Sequence, residues 1–264
     1  MNKDKALKFT SHLTPIIDLN VFNIIDSTSN YLLSNIKQYQ LNDNRIVVAA
    51  AEVQTKGRGR IGRSWHSDLG SGLTFSMLRR FENGASVLTG LSLVIGVAIV
   101  RVLRSFSVNQ INLKWPNDIL YDNSKLGGVL VELRGKMIGP ADAVIGIGIN
   151  FNLPSSIRSI IQQNAIDLFQ ITGQHLDRNE IFGALLLELC SILSDFEVHG
   201  FSYFKDEWIS YHAYHGKNVR LFLPHNSFVS GVVDGINDDG SICLLTSAGR
   251  NSYIVGDISM RLTD

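Results

Sequence analysis

The chain has 264 residues, of which 45% are hydrophobic and 18% charged, which excludes a disordered or fibrous polypeptide and supplies a core that needs no disulfide or metal staple. Lys plus Arg and Asp plus Glu both number 24, so the formal net charge is zero, which argues against a bulk nucleic-acid binder and leaves only a local basic patch. Cys190 and Cys243 are the only cysteines, with no CxxC or zinc-ligand spacing, and a reduced compartment follows.

Met1–Thr10 is polar, carries Lys3, Lys5 and Lys8, and lacks the apolar stretch of a signal peptide. VFNIID (21–26) reads as a strand. Asp26, Ser27 and Thr28 are cap residues, and Tyr31, Leu32 and Ile36 mark the helix that follows. RIVVAAAEV (45–53) is a buried strand, residues 54–72 a loop rich in Gly, Arg and Ser, and LTFSMLRRF (73–81) a returning strand. Ser86–Phe106 holds the most apolar run of the chain, Leu88–Val100; it is too short to span a bilayer and predicts a buried helix. With neither signal nor span, the cytoplasm is the default location. INLKW (111–115) is a strand stopped by Pro116, Asn117 and Asp118. KLGGVLVELRG (125–135) and DAVIGIGINF (142–151) are buried strands, and helices are expected over 155–170 and 178–212. Beyond residue 213 the pattern changes to five short strands, KNVRLFLP, FVSGVVDGIN, GSICLLTS, NSYIV and ISMRL, separated by turn signals. That spacing predicts a small SH3-like barrel at 213–264 behind a larger domain at 1–212.

The sharpest local feature is KGRGRIGR (56–63), where Lys56, Arg58, Arg60 and Arg63 are punctuated by Gly57, Gly59 and Gly62. Glycines let backbone N–H groups approach an anion, and guanidinium forks suit phosphate or carboxylate. A solvated basic turn is the plain alternative. GRGRIG also spells G-x-G-x-x-G, but the dinucleotide fingerprint needs a helix opening at its glycines, and here RSWHSDLGSG follows. KWPND (114–118) presents Lys114, Asn117 and Asp118 at a strand's end, fit for phosphates, magnesium or an incoming amine, or merely an Asn-Asp turn. Lys125 enters an apolar strand beside Gly127 and Gly128, so it has snorkelled out or found an anion. GIGIN (146–150) ends a strand in small residues with Asn150 at its edge.

In this order and spacing, IDSTSNYLL, AEVQTKGRGRIGRSWHS, LKWPNDIL, KLGGVLVEL, VIGIGINFN and the terminal ISMRL resemble one family, the biotin–protein ligases, over residues 21–263. The resemblance implies a mixed-sheet α/β (α+β) catalytic domain, related to class II aminoacyl-tRNA synthetases and lipoate ligases, followed by the small barrel. It implies activation of biotin by MgATP to biotinyl-5′-AMP, then transfer to one lysine of a biotin carboxyl carrier protein, with the acetyl-CoA carboxylase subunit as the expected partner. By motif, Ser27, Thr28, Ser29 and Gln54 would meet the ureido ring. Gly57, Arg58, Gly59 and Arg60 would close over biotin and the adenylate phosphate, and Trp65 would wall the valeryl chain, although a core tryptophan is an equal alternative. Lys125 would bind the biotin carboxylate, Lys114, Asn117 and Asn150 would serve the nucleotide and its metal, and Arg261 would reach the ATP phosphates. Asp118 would orient or deprotonate the acceptor lysine, since free lysine titrates near pH ~10.4. No resident metal site, membrane or nucleic-acid partner is implied, and a homodimer stays open. Residues 152–168 hold no aromatic to stack on adenine, so Ile157 or Ile161 would replace it. About 20 residues before VFNIID are too few for a DNA-binding winged helix, so a monofunctional ligase is expected.

Overall fold

The computed structural model describes residues 1–10, 16–39, 41, 45–161, 163–254, 256 and 258–263. The first part of the chain runs α1 (Lys3–Leu7), β1 (Ile16–Ile25), α2 (Thr28–Asn35), β2 (Arg45–Gln54), β3 (Gly72–Phe81), α3 (Leu91–Ser105), β4 (Ile111–Lys114), β5 (Asp118–Tyr121), β6 (Ser124–Gly135) and β7 (Ala141–Asn150). These strands form one seven-stranded sheet in the order β1-β2-β3-β7-β6-β5-β4. It is mixed: β1 runs parallel to β2, and every other pair is antiparallel. The interior strands β2, β3 and β7 are buried along nearly their whole length, although β3 alternates in sequence and buries Thr74, Ser76 and Arg79 among its apolar residues. β1 starts at Ile16, five residues earlier than the apolar run at Val21 suggests. As an edge strand it tolerates polar residues, and its Asp18 pairs with Arg45 at 2.9 Å. α3, apolar on nearly every face, covers one side of the sheet.

Then come α4 (Ser155–Arg158), α5 (Leu168–Thr172), α6 (Arg178–His199) and α7 (Lys205–Tyr211). The single helix expected over 155–170 is not formed. Asp167 caps α5 by accepting from Gln170 N at 2.8 Å, and it also takes Leu153 N at 2.8 Å and pairs with Arg158. Residues 164–166 instead pair with the start of β6: Lys125 N donates to Asn164 O at 2.8 Å and Ile166 N to Lys125 O at 3.0 Å. Tertiary pairing has overridden local helix propensity there. The helix expected over 178–212 breaks at Gly200, which caps α6 with a φ of 69° that L side chains rarely adopt.

The C-terminal strands are β8 (Asn218–Phe222), β9 (Phe228–Ile236), β10 (Ile242–Thr246), β11 (Gly249–Tyr253) and β12 (Ser259–Leu262). They form a five-stranded antiparallel sheet, ordered β11-β10-β9-β8-β12. Val255, the last residue of the strand expected at NSYIV, lies outside the described residues. The two sheets share a continuous apolar core. They are also tied by polar contacts: Trp115 Nε1 donates to Gly240 O at 3.1 Å, and Ala213 N to Leu113 O at 2.9 Å. That seam sets the edge of the second sheet beside the end of β4.

Candidate active site

A cavity of about 920 Å³, its open mouth included, lies between α2, the 54–72 loop, β4–β7 and β12. Its inner end is neutral and hydroxylic. Ser27 caps α2, so Thr28 and Ser29 follow in its first turn and face β3. Thr28 N and Thr28 Oγ1 donate to Gln54 Oε1 at 2.7 and 3.0 Å. Ser76 Oγ lies 2.8 Å from Thr28 Oγ1 and 2.9 Å from Ser29 Oγ, and is fully buried. Each hydroxyl has one proton. Because Thr28 gives its proton to Gln54, Ser76 must give to Thr28 and Ser29 to Ser76. The chain therefore has a direction, and it leaves lone pairs on Ser29 and the amide N–H of Gln54 for a ligand. Gly146 of β7 makes room, since a Cβ there would stand 2.9 Å from Ser29 Oγ.

The basic loop folds over the cavity as a small hairpin. Gly59 N donates to Arg63 O at 2.7 Å and Trp65 N to Gly57 O at 2.9 Å. Gly57 lines neither this cavity nor its neighbour; its role is local, because a Cβ would sit 2.3 Å from Trp65 O. Trp65 is half-buried and lies flat on β7, where only a glycine fits: a Cβ on Gly148 would be 2.4 Å from its ring. It is thus a wall of the cavity. The tryptophans buried in the core are Trp115 and Trp208. Arg58 pairs with Glu132 of β6. Arg60 Nη1 donates to Asn117 Oδ1 at 3.1 Å, and Nη2 to the carbonyls of Gly256 and Ile258.

The opposite end is ionic. The Trp115–Pro116 peptide is cis, and β5 begins at Asp118 immediately after the turn. Asp118 Oδ1 meets Lys125 Nζ at 2.6 Å and Oδ2 meets Lys114 Nζ at 2.8 Å. A bulge brings these groups together. In the β5–β6 register Asp118 pairs with Gly128 and Leu120 with Lys125, so the odd residue between them turns Lys125 to the face of Asp118. Gly128 leaves space for the lysine, whose Cε would lie 3.3 Å from an added Cβ. Burial by itself would raise the Asp118 carboxyl; Lys125 and Lys114 outweigh it and hold the group well below the usual carboxylate range. Burial pushes the Lys114 ammonium below the ordinary lysine value, against the upward pull of Asp118. Two ammoniums on one carboxylate leave a positive surplus that is suited to an anionic ligand.

A second cavity adjoins the first and shares Trp65, Lys125 and Arg261 with it. Asn150 lines it and donates to Lys125 O at 3.3 Å and Ile166 O at 3.0 Å, pinning the 164–166 stretch. Ile160 and Ile161 supply its apolar wall. Ile157 is buried in the fold and lines neither cavity. Arg261 reaches both cavities from β12. All the other expected site residues line the first cavity. Ser76 and Glu132 were not singled out from sequence. A lone serine inside the apolar run LTFSML was the available signal for Ser76; nothing local marks Glu132. Among the described residues no three His, Cys, Asp or Glu side chains cluster to hold a metal ion, and Asp118 is the one carboxylate in either lining. No helix among them is long and apolar enough to cross a membrane.

A mixed sheet thus carries a cavity that is neutral at one end and ionic at the other, with a basic hairpin folded over it. Residues 21–150 match the biotin/lipoate A/B protein ligase family and residues 214–261 the biotin protein ligase C terminal domain. The bifunctional ligase/repressor BirA of Escherichia coli K12 is 37% identical over 241 residues, spanning 91% of this chain and 73% of that one. A biotin–[acetyl-CoA-carboxylase] ligase of Mycobacterium tuberculosis is 30% identical over 218 residues, 80% of this chain and 78% of its own. The structure of biotin protein ligase from Aquifex aeolicus in complex with biotin and ATP superposes with a TM-score of 0.78 at 32% identity, covering 93% of this chain and 99% of that one. The chain belongs to the biotin protein ligases, enzymes that use biotin and ATP with Mg2+.

Proposed function

We propose that this chain activates biotin at the ionic end of the first cavity and passes it to a lysine of a biotin carboxyl carrier protein. The observation that carries this reading is the Lys114–Asp118–Lys125 cluster, which faces a hydroxyl chain across one cavity. A cyclic urea brings two N–H donors and one C=O acceptor, which complement the lone pairs on Ser29 and the free N–H of Gln54. Ser27, Thr28 and Ser76 hold that pair in place. Trp65 covers the aliphatic chain, and Lys125 receives the carboxylate. In the first step a carboxylate oxygen attacks the α-phosphorus, the Pα–O bond to the β-phosphate breaks, and pyrophosphate leaves. Lys125, with Arg60 and Arg58 on the hairpin above, offsets charge that builds on the phosphoryl oxygens. Magnesium enters on the ATP phosphates as part of the substrate; Asp118, already held by two lysines, is not a free ligand for it. Lys114, Asn117, Asn150 and Arg261 flank the nucleotide, and Ile160 with Ile161 forms an aliphatic bed for adenine. In the second step the acceptor amine attacks the acyl carbon, AMP departs, and an amide forms with loss of a proton. A carboxylate held as low as Asp118 accepts a proton poorly, so its part in transfer is to orient the incoming amine.

The division at residues 212 and 213 belongs to the same reading, with the second unit delivering Arg261. So do a cytoplasmic location and the biotin carrier of acetyl-CoA carboxylase as acceptor. The test is ATP–pyrophosphate exchange. Exchange that requires biotin, and that lipoate does not support, is the expected result; exchange with lipoate alone, or none, overturns the reading.

A further inference from the structure

The outer face of the second sheet continues directly from the mouth of the first cavity. Ser259 and Arg261 of β12 line that cavity. In register, Ser259 faces Phe222 and Phe222 faces Phe228; in the next row Arg261 faces Arg220 and Arg220 faces Ser230. Residues directly opposite in antiparallel strands project on one side, and strands lie about 4.8 Å apart, so Phe228 stands roughly 10 Å from the cavity wall. Phe222 is 42% exposed and Phe228 59%, while Val219 and Leu221, on the other side of β8, are buried. The Arg220 guanidinium lies over the Phe228 ring at 4.6 Å. Among the described residues neither Arg220 nor Arg261 has an ion-pair partner, although two cations directly opposite each other repel. The face therefore combines two exposed aromatic rings with the Arg220 guanidinium, immediately beside the entrance where Arg261 flanks the nucleotide.

We infer that this face, built on Phe222, Phe228 and Arg220, is the docking surface for the acceptor protein, and that the acceptor presents acidic and apolar side chains around its target lysine. The inference rests on the ligase reading above. A lasting partner seated here, such as a second copy of this chain, would obstruct the mouth through which the lysine must enter. A transient substrate would not, and a small patch of this kind suits a weak, short-lived complex. The Arg220 guanidinium selects an acidic surface and speeds its approach.

The experiment uses the full chain with an isolated biotin carboxyl carrier domain. In the doubly substituted Phe222→Ser, Phe228→Ser variant, biotin-dependent pyrophosphate exchange stays within twofold of wild type, while KM for the carrier domain rises at least tenfold with kcat little changed. Arg220→Glu raises the same KM and weakens its dependence on salt. Unaltered exchange certifies the fold of each variant. On the wild-type chain, adding the carrier domain slows amide hydrogen exchange over residues 218–230. An unchanged carrier KM in the double variant overturns the inference, as does a loss of dimer by sedimentation with no change in that KM, which would assign the face to a second copy. Absence of exchange in the wild type would instead sink the ligase reading itself.

Discussion

The two ends of the first cavity are both polar and both buried, yet they are built on different physics. At the inner end three hydroxyls and one amide satisfy each other in a directed chain that ends on Gln54. No charge is buried there, so little desolvation has to be offset. At the other end two ammoniums share one carboxylate, and the arrangement is tolerable only while all three are present. A neutral chain recognises shape and donor pattern and is indifferent to pH. An ionic cluster can take up new negative charge, at the cost of depending on protonation state.

Three substitutions sharpen that contrast. The largest effect belongs to Lys125→Gln, which removes the group nearest the developing phosphoryl charge. Biotin-dependent exchange should fall roughly 10²–10³-fold, and a rate within threefold of wild type would remove Lys125 from the chemistry. Next is Asp118→Asn, which strands the buried ammonium of Lys114 and the half-buried one of Lys125 and should lower unfolding free energy by about 3–5 kcal/mol in urea titrations at neutral pH. Its pH dependence has a definite sign. The native carboxyl sits below its unfolded value, so its contribution is complete above the ordinary aspartate pKa of about 3.9 and is lost as acid carries the pH down through the lower native value. The variant should lack that acid limb; an unaltered limb would mean that Lys114 and Lys125 do not hold the carboxyl. The smallest effect is expected of Ser76→Ala. Breaking the hydroxyl chain should raise KM for biotin about five- to tenfold, corresponding to about 1 kcal/mol. The increase should be the same from pH 6 to 9 and should leave KM for ATP unmoved. A pH-dependent increase would show that the two ends are electrically coupled.

Much of this site was legible before any coordinates. The cap at Ser27, the basic hairpin at 56–63, the strand end at Lys114 and the lysine entering β6 are local patterns, and all converge on the two cavities. Other parts were not legible. Gly57 reads as a ligand-facing glycine, yet it serves the hairpin's own closure against Trp65. The helix expected over 155–170 dissolves because residues 164–166 pair with the start of β6, a contact about 40 residues distant in sequence.

By itself the sequence determined which residue types are available and which short segments carry them, because caps, turns, strand alternation and cation–glycine spacing act over a few residues. The tertiary structure alone decided who meets whom. A one-residue bulge turns Lys125 toward Asp118, a serine from β3 closes the hydroxyl chain begun in α2, and β12 brings Arg261 to a cavity made by the first sheet. Those meetings depend on register and on packing between segments far apart along the chain, and local sequence periodicity carries no information about either.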